Sequence, residues 1–212
     1  MIDKEKVYKA LSEGNMEEVK KLTQEALDRG ESAESILSQG LIKAMDQIGV
    51  KFKNCEIYIP EVLIAARAMH AGLAVLKPIL AKSTTATMAK IVLGTVKGDL
   101  HDIGKNLVGM MLEGGGFEVV DVGIDAPPEK FIAAAQEHGA KIIGMSALLT
   151  TTMMQMKSTV EKAKATGLSN RVKIIVGGAP VTAEFAKQIG ADGYAADAAS
   201  AVSKVKELLG MA

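Results

Sequence analysis

The 212-residue sequence has one cysteine, no tryptophan and five prolines, and neither sign of charge is in excess. The lone Cys55 cannot close an internal disulfide. Lys and Arg number 25 against 25 Asp and Glu, which removes the electrostatic footprint of a nucleic-acid partner and excludes a disordered acidic tail. No apolar stretch reads as long enough to span a membrane, and no opening segment joins a basic region to a long apolar run. The expectation is a cytoplasmic protein without membrane or nucleic-acid contacts. Zinc held by protein alone is also disfavoured, because one cysteine and His70, His101 and His138 must supply three or four ligands. What the chain does have is a 48% hydrophobic composition, enough for a sizeable core, with 21 Gly and 12 Met. These point to close backbone approaches and soft apolar surfaces.

The pattern changes near residue 85, giving an expected helical domain over 1–84, a linker over 85–89 and a second domain over 90–212. Before the change, apolar residues recur at the helical period. Asp3 to Leu11 forms a first helix. Asn15 precedes Glu18 in capping-box spacing before a second, and Ser32 caps a third that carries Ile36, Leu37, Leu41, Met45 and Ile48. Pro60 fits the first turn of a fourth, which Pro78 ends or bends. Four short-linked helices must cover one another's apolar stripes, which predicts a bundle. After the change, short apolar runs alternate with helices. Strands are expected at Ile91 to Val96, Phe117 to Val122, Ile142 to Met145, Val172 to Val176 and Tyr194-Ala195. Such alternation predicts a five-stranded parallel sheet covered on both faces, Rossmann-like or flavodoxin-like, with ligands beyond the carboxyl ends of the strands. A receiver domain would share that sheet, so fold alone does not decide function.

Three strand ends carry unusual residues. After the first comes Gly98-Asp99-Leu100-His101-Asp102-Ile103-Gly104. Asp99 and His101 lie two apart and can share one side of an extended loop. One imidazole nitrogen could then bind a metal while the other donates to the carboxylate. The competing reading makes His101 a solvent-facing loop residue and Asp99 a helix cap. Ser146-x-Leu148 and the hydroxyl run Thr150-Thr151-Thr152 follow the third strand, and Gly177-Gly178 ends the fourth. Neither a Walker pattern nor a dinucleotide fingerprint is present. His70 sits mid-helix, where packing or partial exposure accounts for it. His138 ends a helix before Gly139, where favourable interaction with exposed carbonyls accounts for it. A single histidine suits a metal whose other ligands come from a macrocycle.

Asp99-x-His101-x-x-Gly104, Ser146-x-Leu148 and Gly177-Gly178, with their separations, resemble the signature of corrinoid-binding domains. The helical first domain resembles the cap that precedes the corrinoid domain in cobalamin-dependent methionine synthase. The two-domain length is similar to that of the small corrinoid proteins of methanol, methylamine and methoxyarene methyl transfer. The resemblance implies a cobalamin or related cobamide bound base-off/His-on. His101 would be the lower cobalt ligand, Asp99 the acceptor for its second nitrogen, and Thr152 the outer hydroxyl of that relay. It places Asp102, Ile103, Gly104, Ser146, Leu148, Thr150, Gly177, Gly178, Ala196 and Asp197 around the cofactor and its buried nucleotide tail. Gly177 and Gly178 would leave room for the tail. In the cap, Glu61 and Met69 would face the cofactor, although Met69 also fits a plain core position.

By the same resemblance the chain is a methyl carrier with methylcobamide as its intermediate. A substrate:corrinoid methyltransferase would load it, a corrinoid:tetrahydrofolate or corrinoid:thiol methyltransferase would unload it, and a reductive activator would rescue Co(II). Two hundred and twelve residues leave no room for a substrate barrel or folate site of its own. A corrinoid-binding regulator is the alternative, favoured only by an attached DNA-binding domain.

Overall fold

The computed structural model describes residues 2–80 and 89–211 in two compact units. The first contains the residues up to Leu80 together with Glu113–Gly116; the second contains Ala89–Leu112 and Phe117 onward. The linker expected at 85–89 falls, but for Ala89, outside the described residues.

The helical unit opens with α1 (Lys4–Ser12) and α2 (Met16–Asp28). Asp3 and Asn15 cap them by accepting the Lys6 and Glu18 N–H groups, each at 3.1 Å. Ser32 likewise accepts the Ser35 N–H at 3.2 Å. The single helix expected after it is instead α3 (Ala33–Ser35), a π segment over Ile36–Ile42 and α4 (Lys43–Lys53). Its buried positions include 36, 37, 40, 41, 44, 45 and 48, recurring every four residues. An α-helix turns every 3.6 residues, so that stripe would drift off the core. The wider π turn keeps it on one face.

Helix α5 (Ile59–Leu80) begins next to Pro60 and runs through Pro78. Contrary to the sequence expectation, it is long and apolar enough to cross a membrane by length and composition. Half of its apolar window is buried inside the molecule, and Val62, Met69, Leu73 and Leu76 are core residues. That is the pattern of a bundle's central helix. Small residues let it approach its neighbours: a Cβ on Gly72 would stand 2.9 Å from Val19 Cγ1.

The second unit alternates β1 (Lys90–Val96), α6 (Ile103–Gly114), β2 (Glu118–Ala126), α7 (Pro128–His138), β3 (Ile142–Ser146), α8 (Met154–Ala165), β4 (Lys173–Gly177), α9 (Ala183–Ile189), β5 (Gly193–Ala195) and α10 (Ala198–Leu208). All strand pairs are parallel, in the order β2-β1-β3-β4-β5. Adjacent residues on a strand point to opposite faces. Ile91 with Val92 and Ile142 with Ile143 are all fully buried, so both faces are covered. In this order the topological switch lies between β1 and β3, where such sheets place ligands.

The expected strands are present, but β2 runs four residues beyond its expected end at Val122. Its register against β1 shifts twice, between Leu93 and Gly94 and between Gly94 and Val96. Gly123 and Asp125 both take positive φ, 80° and 49°. Such bulges re-aim a strand end. Gly94 marks the first shift. A Cβ there would fall 2.4 Å from Val122 Cγ2 and 2.9 Å from the Phe131 ring. Gly94→Ala should therefore overpack the sheet and lower stability by about 1–3 kcal/mol in urea unfolding. An unchanged midpoint would show that Phe131 can move aside at no cost.

Candidate functional site

The loop from β1 to α6 turns back on itself, with Gly98 at φ 82°. Asp99 inside it is fully buried. A buried carboxylate is costly unless hydrogen bonds hold it, and this one is well supplied. Asp99 Oδ1 accepts from His101 Nδ1 at 2.7 Å and from the His101 N–H at 3.1 Å. Asp99 Oδ2 accepts the Leu148 N–H at 2.8 Å, the Leu149 N–H at 3.1 Å and the Thr152 hydroxyl at 2.9 Å. Burial pushes the carboxyl up, but donors from the His101 ring, the Leu148 and His101 N–H groups and the Thr152 hydroxyl outweigh it. The net result is a group held well below the usual carboxylate range. An ionised carboxylate only accepts, so Nδ1 carries a proton; in the neutral ring this leaves the lone pair on Nε2. The His101 side chain is 51% exposed, and Nε2 has no hydrogen-bond partner among the described residues.

The other two motifs meet this loop along the strand ends. Thr95, Ser146, Gly177 and Ala195 pair in one row across β1, β3, β4 and β5. Leu148 reaches Asp99 through its backbone, leaving its side chain exposed. Of the three threonines, Thr152 is buried and bonded to Asp99, whereas Thr150 is exposed. The glycines have a reason beyond leaving room for a ligand. A Cβ on Gly177 would lie 2.8 Å from the Ala195 carbonyl oxygen, and one on Gly178 only 1.9 Å from that of Ala147. Gly178 also has φ 128°.

The remaining residues lie as follows. Asp102 precedes α6 and accepts from the Asn106 amide at 3.1 Å. Ile103 is exposed, and a side chain at Gly104 would enter open space. Ala196 is exposed, while Asp197 caps α10, its carboxylate accepting the Ser200 N–H and hydroxyl at 2.7 Å. In the helical unit Met69 is fully buried, and Glu61 is exposed and accepts the Tyr58 N–H at 3.1 Å. His70 is half exposed and lies 2.9 Å from Glu113, within the same unit. His138 closes α7 beside Gly139.

Three participants were not singled out from the sequence. The buried Thr95 hydroxyl donates to the His101 carbonyl at 2.8 Å. Asp125 accepts the Gly98 N–H at 2.7 Å. Lys105, nearly buried, pairs with Asp121. A lysine among the first residues of an otherwise apolar helix was the available signal.

A family profile described as B12 binding domain matches residues 89–203. The chain belongs to the B12-binding domain family. A second B12 binding domain profile matches residues 4–77, in the helical unit. The chain is 42% identical to a corrinoid protein of Desulfitobacterium hafniense strain Y51, over 97% of each chain. It is 47% identical over 82% of each chain to the dimethylamine corrinoid protein of Methanosarcina barkeri. Among solved structures it is similar to a chain of the methanol:cobalamin methyltransferase complex of Methanosarcina barkeri. That match has TM-score 0.84 and 28% identity, covering 98% of this chain and 79% of the other. This B12-binding protein therefore takes a cobamide, and the receiver reading that the sheet alone permitted is set aside.

The residues present fit such a group. The donor set offers one exposed imidazole nitrogen among apolar side chains. Leu100 in the same loop, Ile103 at the start of α6, and Leu148 and Leu149, whose N–H groups bond Asp99, all have exposed side chains, Ile103 to 78%. No group of three or more His, Cys, Asp or Glu able to hold a metal ion occurs among the described residues. One nitrogen among apolar groups suits a metal that brings its other ligands in a macrocycle, as a corrinoid does.

Proposed function

We propose that this B12-binding protein is a methyl carrier, holding a cobamide base-off with His101 Nε2 as its lower ligand. The supporting observation is the buried Asp99, which fixes the Nδ1–H tautomer while Nε2 stays free. Bound here, the corrinoid's cobalt supplies the centre that takes up a methyl group from one enzyme and yields it to another. The protein's residues ligate and orient. Asp99 raises the basicity of the ring by accepting a hydrogen bond from Nδ1–H, and Thr152 donates to the same carboxylate. Ser146, Gly177, Gly178 and the exposed Ala196 line the strand ends proposed to receive the nucleotide tail. Thr150, Asp102 and Asp197 are proposed to flank the cofactor from exposed or partly exposed positions, whereas the fully buried Met69 takes the plain core position the sequence also allowed.

The partners follow from the same reading. A substrate:corrinoid methyltransferase using a methylated amine or alcohol loads the carrier, which the likeness to amine and methanol corrinoid proteins supports. A corrinoid:tetrahydrofolate or corrinoid:thiol methyltransferase unloads it, a reductive activator restores the Co(I) state, and all act in the cytoplasm.

Reconstitution with a benzimidazole-bearing cobamide tests the ligation. Nitrogen-15-labelled histidine should split the electron-paramagnetic spectrum of the Co(II) form, and His101→Ala should abolish that splitting while retaining the cofactor. Splitting by benzimidazole nitrogen in the wild-type complex would overturn the ligation. Failure of an amine- or methanol-specific methyltransferase to methylate the reduced protein would overturn the carrier role.

A further inference from the structure

The loop that carries His101 is fastened at both ends to the bulged end of β2. At its start, Gly98 N–H donates to Asp125 Oδ1 at 2.7 Å, while Asp125 N–H donates to the Asp99 carbonyl at 3.0 Å. Asp125 thus holds the loop twice, accepting with its side chain and donating with its backbone. Beyond the loop, the Lys105 ammonium in the first turn of α6 pairs with Asp121 Oδ2. The other oxygen of Asp121 accepts Gly123 N–H at 2.8 Å, which braces the bulge itself.

Asp125 does this at a conformational cost. Its φ of 49° lies in the left-handed region that favours glycine, one of only two such non-glycine residues among those described. The strain sits one hydrogen bond from the main chain of Asp99, whose carboxylate orients the histidine, the kind of place where strain persists because it serves a site. A glycine would relieve it. Only a residue with a short side-chain acceptor can both occupy that backbone region and hold the Gly98 N–H.

We infer that Asp125 is a positioning residue for the cobalt ligand, holding Gly98 and Asp99 so that the His101 imidazole keeps its aim. The inference rests on His101 being the lower ligand. Asp125 makes no hydrogen bond to the ring; it acts through the backbone that carries Asp99.

The substitution Asp125→Gly separates this role from a structural one, because it removes the acceptor while relieving the strained backbone. The apo-protein should melt at the wild-type temperature or above. In the cobamide-loaded Co(II) protein, the ratio of His-on to His-off signal in the electron-paramagnetic spectrum should fall roughly fivefold, the scale of one lost hydrogen bond. Asp125→Asn keeps an acceptor oxygen and tolerates positive φ, so its ratio should stay within about twofold of wild type. In the cofactor-free protein, the His101 Nδ1–H resonance should be slow to exchange in wild type and Asp125→Asn and fast in Asp125→Gly. A wild-type His-on ratio and slow Nδ1–H exchange in Asp125→Gly would overturn the inference, as would Asp125→Asn behaving like Asp125→Gly. If the wild-type complex shows no histidine nitrogen on cobalt, the ligation reading fails, and the apo-protein resonance alone still decides whether Asp125 steadies the ring.

Discussion

Gly178→Ala is expected to cost the protein both its corrinoid and much of its stability. The new Cβ would stand 1.9 Å from the Ala147 carbonyl oxygen and 2.9 Å from its carbon, so backbone must move. The residue would also be forced to hold φ 128°, which side-chain-bearing residues rarely adopt. Strained backbone and overpacking each cost about 1–3 kcal/mol, and together roughly 3–5 kcal/mol against a typical total of 5–15 kcal/mol. The displaced segment matters to the site. Ala147 joins Ser146 to Leu148, whose N–H holds Asp99, so a shift there loosens the carboxylate behind His101. Urea unfolding together with equilibrium cobamide binding would show the coupled loss. A variant that binds cobamide with wild-type affinity would mean that the β4 turn yields without disturbing the β3 loop.

Asp99→Ala comes second in size and reaches further into the chemistry. It strips the acceptor from the His101 ring and from the His101, Leu148 and Leu149 N–H groups; the Thr152 hydroxyl can turn its proton to the Leu149 carbonyl, 2.8 Å away. Leaving such donors unpaired should destabilise the apo-protein by about 3–5 kcal/mol, with loss of the fixed tautomer. Asp99→Asn retains one oxygen but turns an amide toward groups that only donate, so it should fall between. Its methyl-transfer rate should drop roughly 10- to 100-fold, the range for partners of a metal-bound histidine. The acid limb of the stability curve gives an independent readout. Because the folded carboxyl is held below its unfolded value near 3.8, its contribution is complete above about pH 5. It is lost as pH falls toward the depressed folded value. Wild type should therefore lose stability faster than Asp99→Asn on acidification through that window. Parallel acid limbs, or an unaltered transfer rate, would remove Asp99 from the proposed relay.

Much of this site was legible in the sequence because its parts lie at predictable places. Apolar runs located the strands, and Asp99, His101, Ser146 and Gly177 stand at or just beyond their carboxyl ends. Among Thr150, Thr151 and Thr152 the resemblance picked Thr152, the one whose hydroxyl bonds Asp99; spacing alone could not choose, since that depends on which hydroxyl the turn before α8 points inward. The reason for Gly178 was half read: room for a ligand was anticipated, whereas its collision with the Ala147 backbone needs coordinates. Asp125 was missed because the strand was expected to end at Val122, and a bulged continuation shows only in what lies beside it. The π segment could have been found, because its apolar residues recur every four positions rather than every 3.6. The length and apolar character of α5 were underestimated because charged Glu61, Arg67 and Lys77 interrupt it.

The hydrogen bonds of Asp99 also set an order of events during synthesis. Its partners beyond the loop lie 49, 50 and 53 residues downstream. In a chain emerging from its N-terminus, the histidine loop exists long before the groups that steady it. β2 must pair with β1, α7 must cross, and β3 must dock on the other side of β1 before Leu148, Leu149 and Thr152 arrive. Until then nothing beyond the loop holds the carboxylate that orients His101. Competence to ligate is thus acquired late and all at once, as a property of the finished sheet rather than of the motif that advertises it.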